Sequence, residues 1–322
     1  MFLVAGENLI DLVAEPNGSF VPHAGGAPYN FARALALQGM AAGYLNPLSR
    51  DAFGALLRAT LLASGALHLG PMTDRPTSLA LVQTDERGHP SYAFYRDNVA
   101  DRELDPEAVF TAAPPETIGF HTGGLGLVPP DDARALELLQ RFRARGVLCS
   151  VDINMRLQVA RSMGVAPDRY RDGALRAIGA AHVVKASDED LQHLGLSGAP
   201  VAAAQALLER GPHLVILTLG PDGAWALGPG LQIFQPALPV EVVDTVGAGD
   251  CFFTGVLASL HRAGALMALR DAPPPAELAT RALRHGAINA AIDVSRAGSQ
   301  PGTWDEVIAW QPARSVPGAP GR

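Results

Sequence analysis

The sequence predicts an α/β fold with a mainly parallel central sheet, helices on both faces and a small additional β-sheet. The first observation is the alternation of short apolar segments with helical patterns from Glu116 onward. The second is an apolar segment at residues 2–5, which is typical of a buried strand. The third is a pair of hairpin patterns at residues 7–23 and 77–96. Alternating strands and helices imply a parallel sheet covered on both faces.

The two hairpins are separated in sequence but are expected to meet. The turn Glu15-Pro-Asn-Gly18 divides the first hairpin. The turn Asp-Glu-Arg-Gly-His-Pro divides the second into strands at residues 77–84 and 91–96. We expect both hairpins to pair into one small sheet outside the main domain, where it would act as a lid.

The other elements follow from apolar periodicity and from glycine and proline at their ends. Gly25 and Gly26 permit a sharp turn before the first helix, and Pro28 suits its first turn. The predicted helices cover residues 28–39, 51–64, 131–146, 168–179, 250–264 and 276–293. The other predicted strands cover residues 117–123, 147–154, 182–187 and 240–243, with two more around a tight turn within residues 214–227.

These elements predict one large domain with an inserted lid. Residues 1–6, 24–76 and 97–311 would form the α/β domain, and residues 7–23 and 77–96 would form the lid. The tail, residues 312–322, is rich in proline and glycine and is expected to be disordered.

Composition describes an ordinary globular protein and argues against several function classes. The formal net charge is −7 and no run of basic residues occurs, so nucleic acids and membrane surfaces are not expected partners. The two cysteines, Cys149 and Cys251, are too few for a disulfide framework, and we expect both to be buried in a reducing compartment. Glu7 and Asp11 interrupt the N-terminal apolar run, which argues against a signal peptide or a membrane span. We therefore expect a cytoplasmic protein.

Two nucleotide-binding motifs are missing. A P-loop requires a Gly-Lys pair, and Lys185, the only lysine, follows a valine. The segment Gly-Gly-Leu-Gly-Leu-Val at residues 123–128 lacks the third glycine of the dinucleotide-binding motif and runs into two prolines. A P-loop kinase is therefore excluded, and a Rossmann dehydrogenase has no motif to support it.

The stretch from Val240 to Gly264 is expected to bind an anion. Its β-branched run at residues 240–243 predicts a buried strand, and a glycine-rich turn then leads into a helix. The N–H groups that begin a helix lack intrahelical partners and carry partial positive charge, so they attract anions such as phosphate. Asp250 lies beside this turn. It either accepts a proton from an attacking hydroxyl, as in phosphoryl transfer to an alcohol, or only caps the helix.

Further candidates lie where predicted strands end. In parallel sheets ligands bind at the carboxyl ends of the strands. Asp11, Asn30 and Arg96 lie near the predicted lid and the first helix, where each either binds substrate or is a solvated or structural residue. The polar residues at the strand ends are His121, Asp152, Asn154, Arg156, Lys185 and Ser187.

Two of these stretches resemble the signatures of one family. Asp-Thr-Val-Gly-Ala-Gly-Asp-Cys-Phe-Phe-Thr-Gly, from Asp244, is similar to the C-terminal signature of the PfkB, or ribokinase-like, carbohydrate kinases. Gly-Gly-Ala-Pro-Tyr-Asn-Phe-Ala-Arg, from Gly25, is similar to their N-terminal signature. The resemblance covers roughly residues 1–310 and, through segments such as Phe-Tyr-Arg-Asp-Asn-Val-Ala-Asp-Arg, is strongest to bacterial fructokinases. It implies a ribokinase-like fold with a β lid, ATP in the cleft and Mg²⁺ on the phosphates.

The resemblance also implies roles for individual residues. Asp250 would be the catalytic base, and the amides of Gly247, Ala248 and Gly249 would form the anion hole. Asp244 and Thr245 match a loop that holds a monovalent cation such as K⁺ in some members. The implied sugar-side residues are Asp11, Gly26, Asn30, Arg96 and Arg156. The implied nucleotide-side residues are Asn154, Lys185, Ser187, Thr218, Gly220, Gly223 and Asn289.

The chain departs from the family pattern at two places. Asp152-Ile-Asn154 stands where many relatives have Asp-Pro-Asn. Ser187-Asp-Glu-Asp190 stands where the family has Asn-x-x-Glu near magnesium. Asp190 is the candidate for the magnesium side, and Glu189 is its alternative.

The sequence leaves several functions open. The favoured interpretation is a fructokinase, and 2-keto-3-deoxygluconate kinase is the main alternative because it shares an arginine after paired aromatic residues in the lid. A ribose or nucleoside kinase and a sugar- or nucleotide-sensing protein on a kinase fold are the others. Exposed strand edges of the lid also suggest a homodimer.

Overall fold

The computed structural model describes residues 1–15, 17–84 and 90–311. The turn at residues 85–89, Pro16 of the first hairpin turn, and the tail predicted to be disordered, residues 312–322, lie outside the described residues. The strands are β1 (Phe2–Val4), β2 (Leu9–Ala14), β3 (Phe20–Gly25), β4 (Ala42–Tyr44), β5 (Leu48–Ser49), β6 (Leu67–His68), β7 (Met72–Thr73), β8 (Ser78–Thr84), β9 (Pro90–Tyr95), β10 (Gly119–Gly123), β11 (Leu148–Asp152), β12 (Val183–Ser187), β13 (Leu214–Thr218), β14 (Gly223–Gly228) and β15 (Leu231–Pro236).

The helices confirm the predicted segments to within a few residues and add several short ones. The long helices carry glycine, proline or a side-chain cap at their first turns, as at Asp51, whose carboxylate accepts a hydrogen bond from the Gly54 N–H. The helices are α1 (Ala27–Leu37), α2 (Ala52–Ala63), α3 (Pro106–Ala112), α4 (Asp132–Ala144), α5 (Leu157–Ser162), α6 (Pro167–Ala180), α7 (Asp188–His193), α8 (Pro200–Leu208), α9 (Ala248–Arg262), α10 (Ala276–Val294) and α11 (Trp304–Ala309).

The central sheet has nine strands in the order β15-β14-β13-β12-β11-β10-β1-β4-β6. All neighbours from β13 to β6 run parallel, while β14 and β15 are added antiparallel at one edge. The predicted α/β class with a mainly parallel sheet is therefore confirmed. The strand order reverses direction between β1 and β10, which is where ligands of such sheets bind.

Both faces of the sheet are buried. Phe2 and Val4 of β1 pack into one core with residues of α1, α9 and α10, whereas Leu3 packs into the other core with residues of α4 and α6. Because successive strand residues point to opposite faces, a strand covered on both faces is largely apolar. This explains the continuous apolar runs of β1 and of residues 214–217 in β13, whereas β10, β11 and β12 also carry polar residues.

The two predicted hairpins lie together in a separate four-stranded sheet of order β3-β2-β8-β9. β2 and β8 pair in parallel and join the hairpins, and each hairpin is antiparallel within itself. β3 and β9 are the edges of this sheet.

One predicted strand is wrong. Residues 240–243 form no strand, and Val242 and Val243 are 60% and 59% exposed. The Val243 and Asp244 N–H groups both donate to the Val294 carbonyl at the end of α10. The segment is therefore hydrogen-bonded to the end of a helix and not to a strand of the sheet. β propensity is decided by the available strand partners, and here β15, which the sequence did not predict, takes the edge beside β14.

Within the described ranges, no helix combines the length and the apolar character that crossing a membrane requires.

Candidate active site

The first turn of α9 presents main-chain N–H groups at its open end. Gly247 precedes the helix in a left-handed conformation with φ of 87°, which favours glycine. The Gly249 and Asp250 N–H groups belong to the first turn and have no carbonyl one turn earlier to bond. The Ala248 N–H donates to the Thr245 carbonyl at 3.3 Å. The predicted anion site is therefore present in the backbone, with the Ala248 amide partly engaged.

Asp250 is the third residue of α9 and is 6% exposed. Its side chain does not cap the helix, which removes the structural alternative left open by the sequence. Burial raises the pKa of Asp250 well above its usual value, the Asp152 carboxylate raises it further, and the Lys185 ammonium opposes them. A carboxyl group with a raised pKa beside an anion site suits a general base.

Lys185 supplies the positive charge of this site. Its Nζ lies 2.8 and 2.9 Å from the two carboxylate oxygens of Asp152, between the neighbouring strands β12 and β11. The same ammonium would lie 3.1 Å from a Cβ added at Gly249, so a side chain there would press on it. Burial would lower the pKa of Lys185, but the carboxylates of Asp152 and Asp190 raise it above its usual value.

Asn154 lies in a loop whose following backbone N–H groups are held by two side chains. Its φ of 38° is rare for a residue with a side chain. The next two N–H groups are fixed, Met155 by Asp190 Oδ1 at 2.6 Å and Arg156 by the Tyr170 hydroxyl at 3.2 Å. Such a conformation persists only where its surroundings determine it, which is common at functional sites.

Asp190 makes this loop contact from a capping box. Its Oδ2 accepts hydrogen bonds from the Ser187 N–H and hydroxyl, each at 2.8 Å, while its Oδ1 accepts the Met155 N–H. Both oxygens therefore serve protein donors. The alternative metal residue, Glu189, has a side chain 73% exposed and faces His193.

The sugar-side residues converge at the start of α1. Gly26 has a φ of 109°, and a Cβ there would lie 2.5 Å from the Glu7 carbonyl. Asn30 is 3% exposed in the first turn of α1. Asp11 of β2 lies so close to Gly25 that a Cβ at Gly25 would be 2.2 Å from its Oδ2. Burial raises the pKa of Asp11 to about 7, and the Asp244 carboxylate adds to this shift.

The two arginines of the predicted sugar side differ in placement. Arg96 is 5% exposed and pairs with the buried carboxylate of Asp101. Among the described residues, its Nε and Nη1 have no hydrogen-bond partner, and it lines a cavity of about 30 Å³ with Glu7. Arg156 is exposed at the end of the β11 loop. Arg96 thus faces inward, and Arg156 is the more accessible of the two.

The predicted nucleotide side is only partly open. Thr218 ends β13, and a Cβ at Gly220 would meet nothing within 4 Å. Gly223 is structural, because a Cβ there would lie 2.2 Å from the Gln235 carbonyl. Asn289 is 0% exposed, and its amide donates to the Cys251 carbonyl and accepts the Gly302 N–H. These bonds join α10 to α9, and the place of Asn289 on the nucleotide side stays a prediction.

Asp244 and Thr245 lie in the loop before α9. Asp244 Oδ1 accepts the Val246 N–H at 3.0 Å, and Oδ2 accepts the Gly298 N–H at 2.9 Å. Carboxylate oxygens carry further lone pairs, so these bonds leave acceptor capacity for a cation.

His121 was expected at the strand-end site but belongs to the core. Its ring stacks on Phe31 with centroids 3.6 Å apart, and its Nδ1 lies 3.0 Å from the Ser150 hydroxyl. Burial, together with the Lys185 charge, lowers the pKa of His121 to about 3. The ring is therefore neutral at ordinary pH.

Sequence reasoning missed three charged residues near the site. Glu7 is buried between the Ala27 and Leu125 N–H groups, each 3.1 Å from one of its carboxylate oxygens. Arg33 and Asp293 lie behind Gly247. The sequence does carry a signal for Arg33 and Asp293, because each is a charged residue within an otherwise apolar helical segment.

The chain matches the family model described as pfkB family carbohydrate kinase over residues 2–305. It is 33% identical to the fructokinase of Rhizobium leguminosarum bv. trifolii over 296 residues, covering 85% of this chain and 87% of that protein.

Solved structures give the same picture. The crystal structure of fructokinase with bound ATP from Xylella fastidiosa superposes with a TM-score of 0.86 at 28% identity, covering 96% of this chain and 97% of that one. A double mutant of fructokinase from Vibrio cholerae O395, in its fructose, ADP and potassium ion bound form, gives a TM-score of 0.79 at 25% identity, covering 92% and 93%. The ribokinase-like fold implied by the sequence signatures is thereby confirmed.

Proposed function

Because this chain belongs to the pfkB family of carbohydrate kinases, we propose that it transfers the γ-phosphoryl group of ATP to a hydroxyl group of fructose. The observation that carries the proposal is the position of Asp250, a buried carboxyl group within the same helix turn that offers free N–H groups to an anion. The choice of fructose rests on the fructokinases that the chain resembles.

Each part of the reaction has a residue to perform it. Asp250 would take the proton from the sugar hydroxyl, and its raised pKa makes it a stronger base than an exposed aspartate. The first-turn amides and the Lys185 ammonium would stabilise the charge on the transferred phosphoryl group. Phosphoryl transfer needs little covalent work from the protein, so positioning and charge account for most of the catalysis.

The donor set fits magnesium bound with ATP. The carboxylates of Asp152 and Asp250 interact electrostatically with each other beside the phosphate-binding turn, and hard oxygen ligands suit Mg²⁺. Bound magnesium would neutralise part of the charge of the phosphates. Asp190, the residue indicated by the family motif, would support the magnesium side indirectly, by holding the Asn154 loop, because its oxygens already accept protein N–H and O–H groups.

We also propose that the loop at Asp244 and Thr245 holds a monovalent cation. The support is the family resemblance and the potassium ion in the Vibrio cholerae fructokinase structure. Activity in potassium chloride, compared with tetramethylammonium chloride at equal ionic strength, tests this. Equal rates would contradict it.

The four-stranded sheet is proposed to be the lid. It carries Asp11, and its strand β3 reaches the far side of the cleft, where His23 Nδ1 would lie 3.3 Å from a Cβ at Gly298. On this proposal, residues 7–23 and 77–96 close over the sugar, while residues 1–6, 24–76 and 97–311 form the main domain.

Two further parts of the proposal concern assembly and compartment. The exposed side chains Phe20, Val21 and Tyr95 lie at the edges of the four-stranded sheet and support a homodimer formed there. Light scattering of the purified protein tests this, and a monomer at all concentrations would contradict it.

The free, buried thiols of Cys149 and Cys251 support a reducing compartment, the cytoplasm.

The deciding experiment is a panel of sugars with ADP release as the readout. We expect turnover with fructose to exceed turnover with 2-keto-3-deoxygluconate, ribose and nucleosides. Preferred turnover of ketodeoxygluconate would replace fructose by the main alternative substrate. No ADP release with any sugar would reject the kinase assignment in favour of a sensing protein.

A further inference from the structure

We propose that Arg33 is a positioning residue that connects the sugar-side helix α1 to the phosphate-binding turn at Gly247, with Asp293 as its buried counter-charge. The proposal rests on the proposed function, since it takes Asn30 to face the sugar and Gly247 to face a phosphate.

Arg33 contacts both sides of the site with one guanidinium group. Its Nη1 lies 3.4 Å from Asn30 Oδ1, one helical turn earlier on α1. The same nitrogen lies 3.3 Å from the Ser299 carbonyl, in the loop after α10. The planar guanidinium of arginine holds several acceptors in a fixed geometry, which lysine cannot do. The orientation of Asn30 is therefore linked to the position of Ser299.

Ser299 and Asp293 in turn lie against the phosphate-binding turn. A Cβ at Gly247 would lie 2.2 Å from Ser299 Oγ and 3.3 Å from Asp293 Oδ2. With a φ of 87° and no side chain, Gly247 can rest directly on these two groups. A shift of the Ser299 loop would consequently move the N–H groups that begin α9.

Two polar atoms around this contact are unsatisfied. Among the described residues, Arg33 Nε and Ser299 Oγ are buried without a hydrogen-bond partner, whereas the Asp293 carboxylate faces the Cys251 thiol and the Gln300 N–H. Buried polar groups without a protein partner are usually bridged by water or paired with a charge. Water molecules beside Arg33 and Ser299 would satisfy both atoms.

The buried charge of Asp293 explains why phosphate binding would need the cation of Arg33. Asp293 is 1% exposed, and a buried carboxylate behind an anion-binding turn would repel phosphate unless a cation compensates it. Burial raises the pKa of Asp293 to about 6, hydrogen bonds from the Cys251 thiol and the Gln300 N–H oppose that shift, and the Arg33 charge opposes it to a smaller extent. Removing Arg33 alone should thus have two effects: Asn30 loses its support, and Asp293 becomes an uncompensated negative charge.

The test is a double-mutant cycle on the full-length enzyme with steady-state kinetics for both substrates. We expect Arg33→Gln to raise KM for fructose and for ATP and to lower kcat/KM by about tenfold or more. Adding Asp293→Asn should return KM for ATP toward the wild-type value, by about threefold or more, while KM for fructose stays raised. A purely structural role would lower the melting temperature without this split between the two substrates.

Controls keep the outcome clear. Arg58→Gln, at an exposed position on α2, should behave as the wild type. If Arg33→Gln does not fold, Arg33→Lys keeps the charge but cannot span Asn30 and Ser299, and it should raise KM for fructose only. Wild-type KM values in the Arg33 variants, or failure of Asp293→Asn to restore KM for ATP, would overturn the proposal. Wild-type turnover in the sugar panel tests the proposed function separately, and the cycle is run with whichever sugar that panel selects.

Discussion

Lys185 and Asp152 form a buried ion pair between adjacent parallel strands, with the ammonium 2.8 and 2.9 Å from the two carboxylate oxygens. Their side chains are 7% and 3% exposed. The pair lies beside Gly249 at the start of α9, so the same positive charge stabilises Asp152 and faces the proposed phosphate site.

Lys185→Met should therefore damage both stability and nucleotide binding. Removing one partner leaves the Asp152 carboxylate buried and unpaired, which typically costs about 3–5 kcal/mol. The double variant Lys185→Met with Asp152→Asn should regain most of that stability but keep the raised KM for ATP. Urea denaturation and ATP titration measure the two effects. Recovery of ATP binding in the double variant would contradict a direct role for Lys185.

Asp250→Asn should fold as the wild type and lose about 10² to 10⁴ in kcat, the usual contribution of a general base. Burial already disfavours the charged form of Asp250, so a neutral asparagine of the same shape should not destabilise the fold. In the wild type, kcat/KM should rise with pH as this carboxyl group loses its proton. Asp74→Asn is the matched control, because the Asp74 side chain is 93% exposed. Near-normal turnover of Asp250→Asn would reject the assignment.

Gly247→Ala should disable the phosphate-binding turn. The left-handed conformation costs alanine about 1–2 kcal/mol, and its Cβ would collide with Ser299 Oγ at 2.2 Å. We expect a loss of about 10² or more in kcat, as for removal of positioned N–H donors. Gly264→Ala is the control, since Gly264 also has a positive φ, at the end of the same helix, but nothing lies within 4 Å of its added Cβ. Equal effects of the two variants on kcat would contradict a special role for Gly247.

Asp190→Asn separates loop positioning from metal binding. An amide can accept the Met155 N–H but cannot accept all the hydrogen bonds that the two carboxylate oxygens accept now. We expect a lower melting temperature and a raised KM for the sugar, with little change in the magnesium concentration needed for half-maximal rate. Glu189→Gln should have no effect on either quantity. A large increase in the magnesium requirement of Asp190→Asn would show that Asp190 serves the metal.

Glu7 should make the protein less stable as pH rises. Burial raises the pKa of Glu7 from 4.5 to about 7. Between these values the folded state holds a proton that the unfolded state has lost, so the free energy of unfolding falls with increasing pH. The loss across this window should be roughly 3 kcal/mol. Urea denaturation from about pH 5 to about pH 8 should show a flatter profile for Glu7→Gln, and identical slopes for both proteins would contradict this.

Local patterns predicted the fold and the centre of the site. Strands buried on both faces are largely apolar, so the apolar run at residues 214–217 indicated a buried strand. Gly247 and Asp250 are close in sequence, and the turn and first helical turn that bring them together depend only on short-range backbone geometry. The sequence could therefore indicate an anion site with an adjacent acid before any tertiary contact was known.

The tertiary structure decided what depends on partners far along the chain. Residues 240–243 have strand propensity but are not a strand, because the sheet edge is taken by β15 and their N–H groups meet the end of α10. The amide of Asn289 finds its partners at Cys251 and Gly302, 38 and 13 residues away along the chain. Arg33 meets Ser299 across 266 residues of sequence. Local sequence determines backbone conformation, whereas burial and pairing arise only when distant segments pack together.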